Sequence, residues 1–254
     1  MSDILSNKEL LQKAISILAP VEGPEPVKLL FVPPHVTEGN RHQFVQTYSH
    51  IYGLKYEVVV VVEDVDRVLE KRISMPDFET FESIFGPVKA HDSVRNEFAD
   101  EDDDLYVDNG GVHSNLAISH QLPFLQAALG DFQVVSVQLY EQERPSIIKE
   151  LAYVIEEILG ERSALIVLCC DLASNRKPDL ARLHEYVANS DMSNIFNVLN
   201  SGVIPMKGHG PFITGILVSE SWNLSVQFNP VDNHDGSQSL ISGKASMQLR
   251  TQTA

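Results

Sequence analysis

Gln121-Leu122-Pro123-Phe124-Leu125-Gln126, followed by Phe132-Gln-Val-Val-Ser-Val-Gln-Leu139, decides how the rest of this chain is read. A turn-like Leu-Pro-Phe leads into a short apolar segment, then Gly130-Asp131 and a strand that alternates apolar and polar residues. Taken alone, this is one helix-to-strand unit of an α/β domain. Three further segments stand at matching distances around it: Val32-Pro33-Pro34-His35, Val167-Leu168-Cys169-Cys170-Asp171-Leu172, and Gly208-His209-Gly210-Pro211.

Working outward, residues 7–18 carry Leu10, Leu11, Ala14, Ile15 and Leu18 at helical spacing. Pro20, Pro24 and Pro26 break the chain before Lys28-Leu-Leu-Phe-Val32, a first strand that stops at a proline pair. Residues 43–52 suit a short helix. The β-branched run 56–62 is apolar on both faces, as a buried, parallel strand requires. The strand 132–139 alternates more, so one of its faces is expected to be less buried. Pro145 opens a helix that runs to Leu159 and ends at Gly160. Residues 164–170 are a second buried strand, 179–187 and 192–199 are helical, and 210–219 fits helix or strand. Strands at 224–228 and 240–249 close the chain around a Gly/Asn/Asp turn.

Strands alternating with helices predict a three-layer α/β sandwich, a central mixed sheet flanked by helices on both faces. With no internal repeat and no linker composition, residues 1–254 read as a single domain, and the acidic stretch 96–112 as an irregular surface insertion. The formal net charge of −16 argues against duplex nucleic acid or an anionic membrane as partner, since both attract clustered Lys and Arg. Apolar runs are too short to span a bilayer, and the N-terminus shows no basic-then-apolar secretory pattern; a cytoplasmic protein is expected. The adjacent pair Cys169-Cys170 ends an apolar run and reads as two reduced, buried thiols.

In such sheets, ligands bind where loops leave the carboxyl ends of strands. His35 follows the first strand, Asp66 lies in the segment 63–67 after the second, and Asp171 follows Cys170. His209 sits in the Gly-rich loop Lys207-Gly-His209-Gly-Pro211, where backbone can approach closely. A pocket of His35, Asp66, Asp171 and His209 follows, with donors that suit Fe or Zn in a three-ligand open site. The loop 229–236 adds His234 at the pocket mouth.

These segments resemble the Memo family (AmmeMemoRadiSam system protein B-like), from about Lys28 to the C-terminus. The resemblance implies a fold similar to class III extradiol ring-cleavage dioxygenases. Memo-like proteins carry Pro-His-Ala-Gly after the first strand; here Pro34-His35-Val36-Thr37 keeps Pro-His. Their Gly-Pro-Ser-His-His, one His of which binds metal, stands as Glu63-Asp64-Val65-Asp66-Arg67. Their Ser-Ser-Asp-Xaa-Xaa-His becomes Cys169-Cys170-Asp171-Leu172-Ala173-Ser174, so the Asp is kept and the His is lost. Their Cys-Gly loop, another ligand, becomes Lys207-Gly208, and their Glu-His-Ser falls on 115–117 or, with an insertion, on His113-Ser114. His120 has no family counterpart, and the family's N-terminal Ala-Gly-Xaa-Phe-Tyr-Pro is absent.

The leading reading is therefore a divergent Memo-like protein without the family metal or any other cofactor, acting through binding or assembly. An ammonium cannot ligate a cation, and Lys207 paired with Asp66 or Asp171 would replace the metal's charge. A small molecule, a protein partner or a second copy of the chain would be its counterpart. The alternative is an Fe-dependent oxidoreductase of the extradiol type, with His35, Asp66 and His209 as ligands and His113 or His120 as acid/base. A third reading, a hydrolase using Cys169 or Cys170, needs an exposed thiol of lowered pKa.

Overall fold

The computed structural model describes residues 5–20, 26–172, 177–229 and 241–247. In chain order these form α1 (Lys8–Leu18), β1 (Val27–Val32), α2 (Arg41–Ser49), β2 (Val58–Val65), β3 (Ile73–Met75), β4 (Thr80–Phe81), β5 (Val88–Lys89) and α3 (Asp92–Glu101). There follow β6 (Leu105–Val107), α4 (Ala117–Leu129), β7 (Val134–Tyr140), α5 (Pro145–Leu159), β8 (Ala164–Cys169) and β9 (Asp171–Leu172). The last are α6 (Lys177–Ala188), α7 (Met192–Asn200), β10 (Met206–Lys207), α8 (His209–Ser221), β11 (Leu224–Phe228) and β12 (Gly243–Met247).

Eight strands make one mixed sheet in the order β11-β12-β1-β8-β2-β7-β3-β6. Its centre, β1, β8, β2 and β7, is parallel, and antiparallel pairings join β12 to β1 and β3 to β7. The expected sandwich is present because successive side chains on a strand point to opposite faces. Val58, Val60 and Val62 of β2 pack with α3, α5, α6, α7 and α8, as do Ile166 and Leu168 of β8. Val59 and Val61, with Leu165 and Val167, pack with α1, α2 and α4 on the other face. Each wholly buried side chain of this size contributes about 1.5–3 kcal/mol relative to exposure, which fixes the register.

Three expectations change in the folded chain. Leu122-Pro123-Phe124 is not a turn: Pro123 lies inside α4. It lacks the N–H that would reach the Ser119 carbonyl, a cost of about 3 kcal/mol in an isolated helix, and complete burial of Leu122, Phe124 and Leu125 offsets it. Secondly, β7 has no less-buried face. Ser136 is 2% and Gln138 0% exposed, because the strand lies between β2 and β3 and its polar residues face other buried groups. Thirdly, the 96–112 stretch is not an irregular insertion; it holds the end of α3 and the edge strand β6. Residues 210–219, open between helix and strand, belong to α8.

Candidate functional site

The parallel strands β1, β8, β2 and β7 all end at one edge of the sheet, and the chain leaving each of them helps to enclose a cavity of about 590 Å³. Pro34 and His35 come from the end of β1, Cys169 from β8, and Glu63 to Asp66 from the end of β2. Glu141 follows β7 directly, and the opposite wall is Met206 to His209 with the end of α7.

Two buried amides hold the His35 turn. The Gln121 side chain donates to the carbonyls of Pro33 and Pro34 at 3.1 Å each, while its Oε1 accepts from the Tyr48 hydroxyl at 2.8 Å. Asn40 donates to the His35 carbonyl at 2.9 Å. The Gln that opens the deciding stretch thus positions the Pro-Pro-His turn from the neighbouring helix. The His35 Nδ1 is buried with no hydrogen-bond partner among the described residues. Burial lowers the His35 pKa to about 4, with repulsion from His120, Lys207 and His113 adding to it. His120 stands edge-on to His35, ring centroids 4.9 Å apart, and burial lowers its pKa too.

Beyond Val62, β2 continues through Glu63-Asp64-Val65, where a loop was expected, and the alternation of the strand sends the two acids to opposite faces. The Glu63 carboxylate accepts from the Ala117 N–H at the start of α4, whose own N-cap, Leu116, has no side chain to offer. Ser136 donates to its other oxygen at 3.5 Å. Asp64 faces the start of α8, with Oδ1 against Gly210, and Gly208 there has no capping side chain. Two consecutive carboxyls therefore face the starts of two helices in the two outer layers, Glu63 accepting a hydrogen bond at α4 and Asp64 lying against the first residues of α8. Burial raises both pKa values: Glu63 to about 7 against the backbone and Ser136 hydrogen bonds, and Asp64 well above the carboxylate range, with Glu141 adding to it. The amides of Gly210 and Gly208 favour the charged Asp64, yet neither of its oxygens meets a donor in ordinary hydrogen-bond geometry.

The cavity brings together His35, Asp66, His113, Lys207 and His209 of the expected set. Asp171 is not in its lining; it lies in β9, where Oδ1 accepts from the N–H of Leu172 at 2.8 Å and of Ile241 at 3.1 Å, tying the ribbon to the chain entering β12. Lys207 is the cross-strand neighbour of Asp171 in the β9–β10 ribbon, but no ion pair joins Lys207 to Asp171 or Asp66 among the described residues. His120 lines a separate, mostly apolar hollow with Val36, Ile84 and Phe124. His234 lies outside the described residues. His209 opens α8, and burial lowers its pKa, with Glu141 partly opposing.

Glu63, Asp64 and Glu141 escaped the sequence reading. A Glu-Asp pair closing an all-valine strand was the available signal, since ionisable groups there need partners.

Ligand atoms of His35, Asp66 and His209 do not lie within 4.8 Å of one another; among the described residues only Asp102, Asp104 and Glu150, away from the cavity, form such a trio. Cys169 is 1% and Cys170 0% exposed, and burial raises both thiols well above their usual range. Neither suits a nucleophile, which needs a thiolate and access. A disulfide-exchange reagent added to the native protein is expected to leave both unlabelled until denaturant is added; prompt labelling of either would restore the cysteine reading. No helix among the described residues is long and apolar enough to cross a membrane.

The fold is shared with a crystal structure of an uncharacterized protein, JW3007, from Escherichia coli K12, at a TM-score of 0.58 and 14% identity over 86% of this chain and 99% of that one. A MEMO1 family protein of Thermotoga neapolitana is 32% identical over a region covering 30% of this chain, which spans about a third, 34%, of that relative's length. The family model for Memo-like proteins matches residues 5–223, nearly all of the described chain, and on that match the chain belongs to the Memo-like family.

Proposed function

We propose that this Memo-like protein uses the cavity at the carboxyl edge of its sheet as a binding site without the family's metal, and acts through binding or assembly. The observation that carries this reading is the failure of His35, Asp66 and His209 to converge, combined with Lys207 standing at the family's Cys ligand position. A metal needs donors at roughly 2.0–2.6 Å around one point, and an ammonium adds positive charge without a lone pair. The residues present do not fit the family's ion.

The redox alternative has one observation in its favour. Two imidazoles held neutral by burial, His35 and His209, share a cavity with Asp66, which is the composition of a facial triad without its geometry.

Elemental analysis of protein purified anaerobically, repeated after exposure to Fe(II) or Zn(II), separates the two. Metal far below one equivalent in the wild type, unchanged in His35→Ala, is the expected outcome. About one equivalent, lost in His35→Ala, would overturn the metal-free reading and establish the rebuilt site.

A further inference from the structure

We propose that a second copy of this chain docks on β11, strand against strand and antiparallel, so that two eight-stranded sheets join into one across a two-fold axis. Such a dimer rests on the reading that this chain acts through binding or assembly, and names its partner. It is independent of what the cavity holds.

The two edges of the sheet are built differently. An edge strand leaves a row of N–H and C=O groups unpaired, and proteins guard such edges with shortness, charge, proline or bulges. At one edge, β6 is three residues long, stands between Asp102-Asp103-Asp104 and Asp108, and has the Lys71 ammonium 3.9 Å from the centre of its Tyr106 ring. At the other edge, β11 has none of these guards. It runs five residues in unbroken register with β12 and contains no proline. In a chain of net charge −16, the whole stretch 221–231 carries no ionisable side chain. Among the described residues, the β11 backbone bonds to β12 and to nothing else.

The strand is complementary to itself. Pairing about Val226, its middle residue, sets Leu224 opposite Phe228 of the partner subunit, and Ser225 opposite Gln227 of the partner subunit. Apolar side chains then meet on the face that carries α8, and neutral polar ones on the other. Leu224, Val226 and Phe228 are only partly buried, and with Val187 and Ile216 they line a hollow of about 670 Å³. A second row of the same three residues covers apolar surface that a single copy leaves to water. Two chains of charge −16 repel each other over most of their surface, so an uncharged edge is where they approach at least cost. An isologous contact of this kind closes at two copies and does not propagate into fibres.

The test is sedimentation equilibrium of the full chain from micromolar to millimolar concentration at physiological salt. A monomer–dimer equilibrium is expected. Ser225→Glu/Gln227→Glu places carboxylates opposite each other across the axis, and is expected to weaken association about tenfold or more, as is Ser225→Lys/Gln227→Lys. An equimolar mixture of the two variants sets acid against ammonium and is expected to restore the dimer. Circular dichroism checks that both variants fold. Gln227→Cys, an exposed position, provides a second route if they do not: a short bis-maleimide is expected to link its copies into dimers, but not those of Asp103→Cys at the other edge. Association unchanged in both charged variants, a mixture that stays monomeric, or equal linking at the two edges would overturn the β11 assignment. A chain that is monomeric at every concentration would do the same and leave the metal-free reading of the cavity standing. Stoichiometric metal through His35 would remove that cavity reading and leave the dimer untouched.

Discussion

Gly208→Ala is expected to cost roughly 3–5 kcal/mol of folding stability, among the largest effects of any single methyl in this chain. Gly208 has φ +69°, and a Cβ there would stand 2.0 Å from the Cys169 carbonyl oxygen and 2.8 Å from the Cys170 Cα. Both are backbone atoms at the end of a buried strand, so neither can yield as a flexible side chain would. The methyl must push α8 away from β8, opening the wall that carries Lys207 and His209. Gly53, at φ +75° with open space around it, provides the control, since alanine there meets only the left-handed backbone cost of about 1 kcal/mol. Urea denaturation of both variants measures the difference. Equal, small losses would mean that the close crossing of Gly208 over Cys169 is not a feature of the folded protein.

The second large effect concerns pH. Burial holds the Glu63 carboxyl near 7 in the folded chain, against an ordinary 4.5. Below about pH 4.5 the group is protonated in both states and has no influence on the balance. As pH rises from there through 7, the unfolded chain releases a proton that the folded chain retains, and stability is lost. A separation of about 2.5 units corresponds to about 3 kcal/mol. Glu63→Gln keeps an oxygen for the Ala117 N–H and lets its new amide donate to Ser136, but cannot ionise. The stability of Glu63→Gln relative to wild type is therefore expected to rise by about 3 kcal/mol between pH 4 and pH 8, measured by urea denaturation across that range. A difference that stays flat with pH would show that folding leaves the Glu63 carboxyl at its ordinary pKa, and one that falls with pH would show it ionised throughout in the folded protein. The direction is unusual, since most carboxylates stabilise proteins more as pH rises.

Both effects come from residues whose importance is invisible along the chain. Gly208 reads as one flexible loop glycine among several, and only the approach of β8 makes it irreplaceable. Glu63 and Asp64 read as a loop after a valine strand. In the fold they extend that strand, and its pleat points one to α4 and the other to α8. Asp171 shows the reverse: it stood in register with the family motif and at a strand end, yet its carboxylate is engaged by the Leu172 and Ile241 amides and turns away from the cavity.

What the sequence by itself determined was the layered architecture. The runs at 58–62 and 164–169 are apolar on both faces and can only be central strands, and the helical periods of α1 and α5 each present one apolar stripe to such a sheet. These are local signals, written in spacings of two and of three to four residues. Pro-His and the Gly-rich loop were legible as cavity material for a similar reason, because strand ends and glycines mark where loops converge. Tertiary structure alone decided that Pro123 stays helical, that Gln121 pins the His35 turn, and that His35, His113 and His209 share one cavity while His120 faces another. Those outcomes depend on contacts between segments tens to more than a hundred residues apart. The free energy of such a contact, whether a cap from a neighbouring strand, a buried amide or the burial that outweighs a proline, exists only once the sheet has brought its partners together.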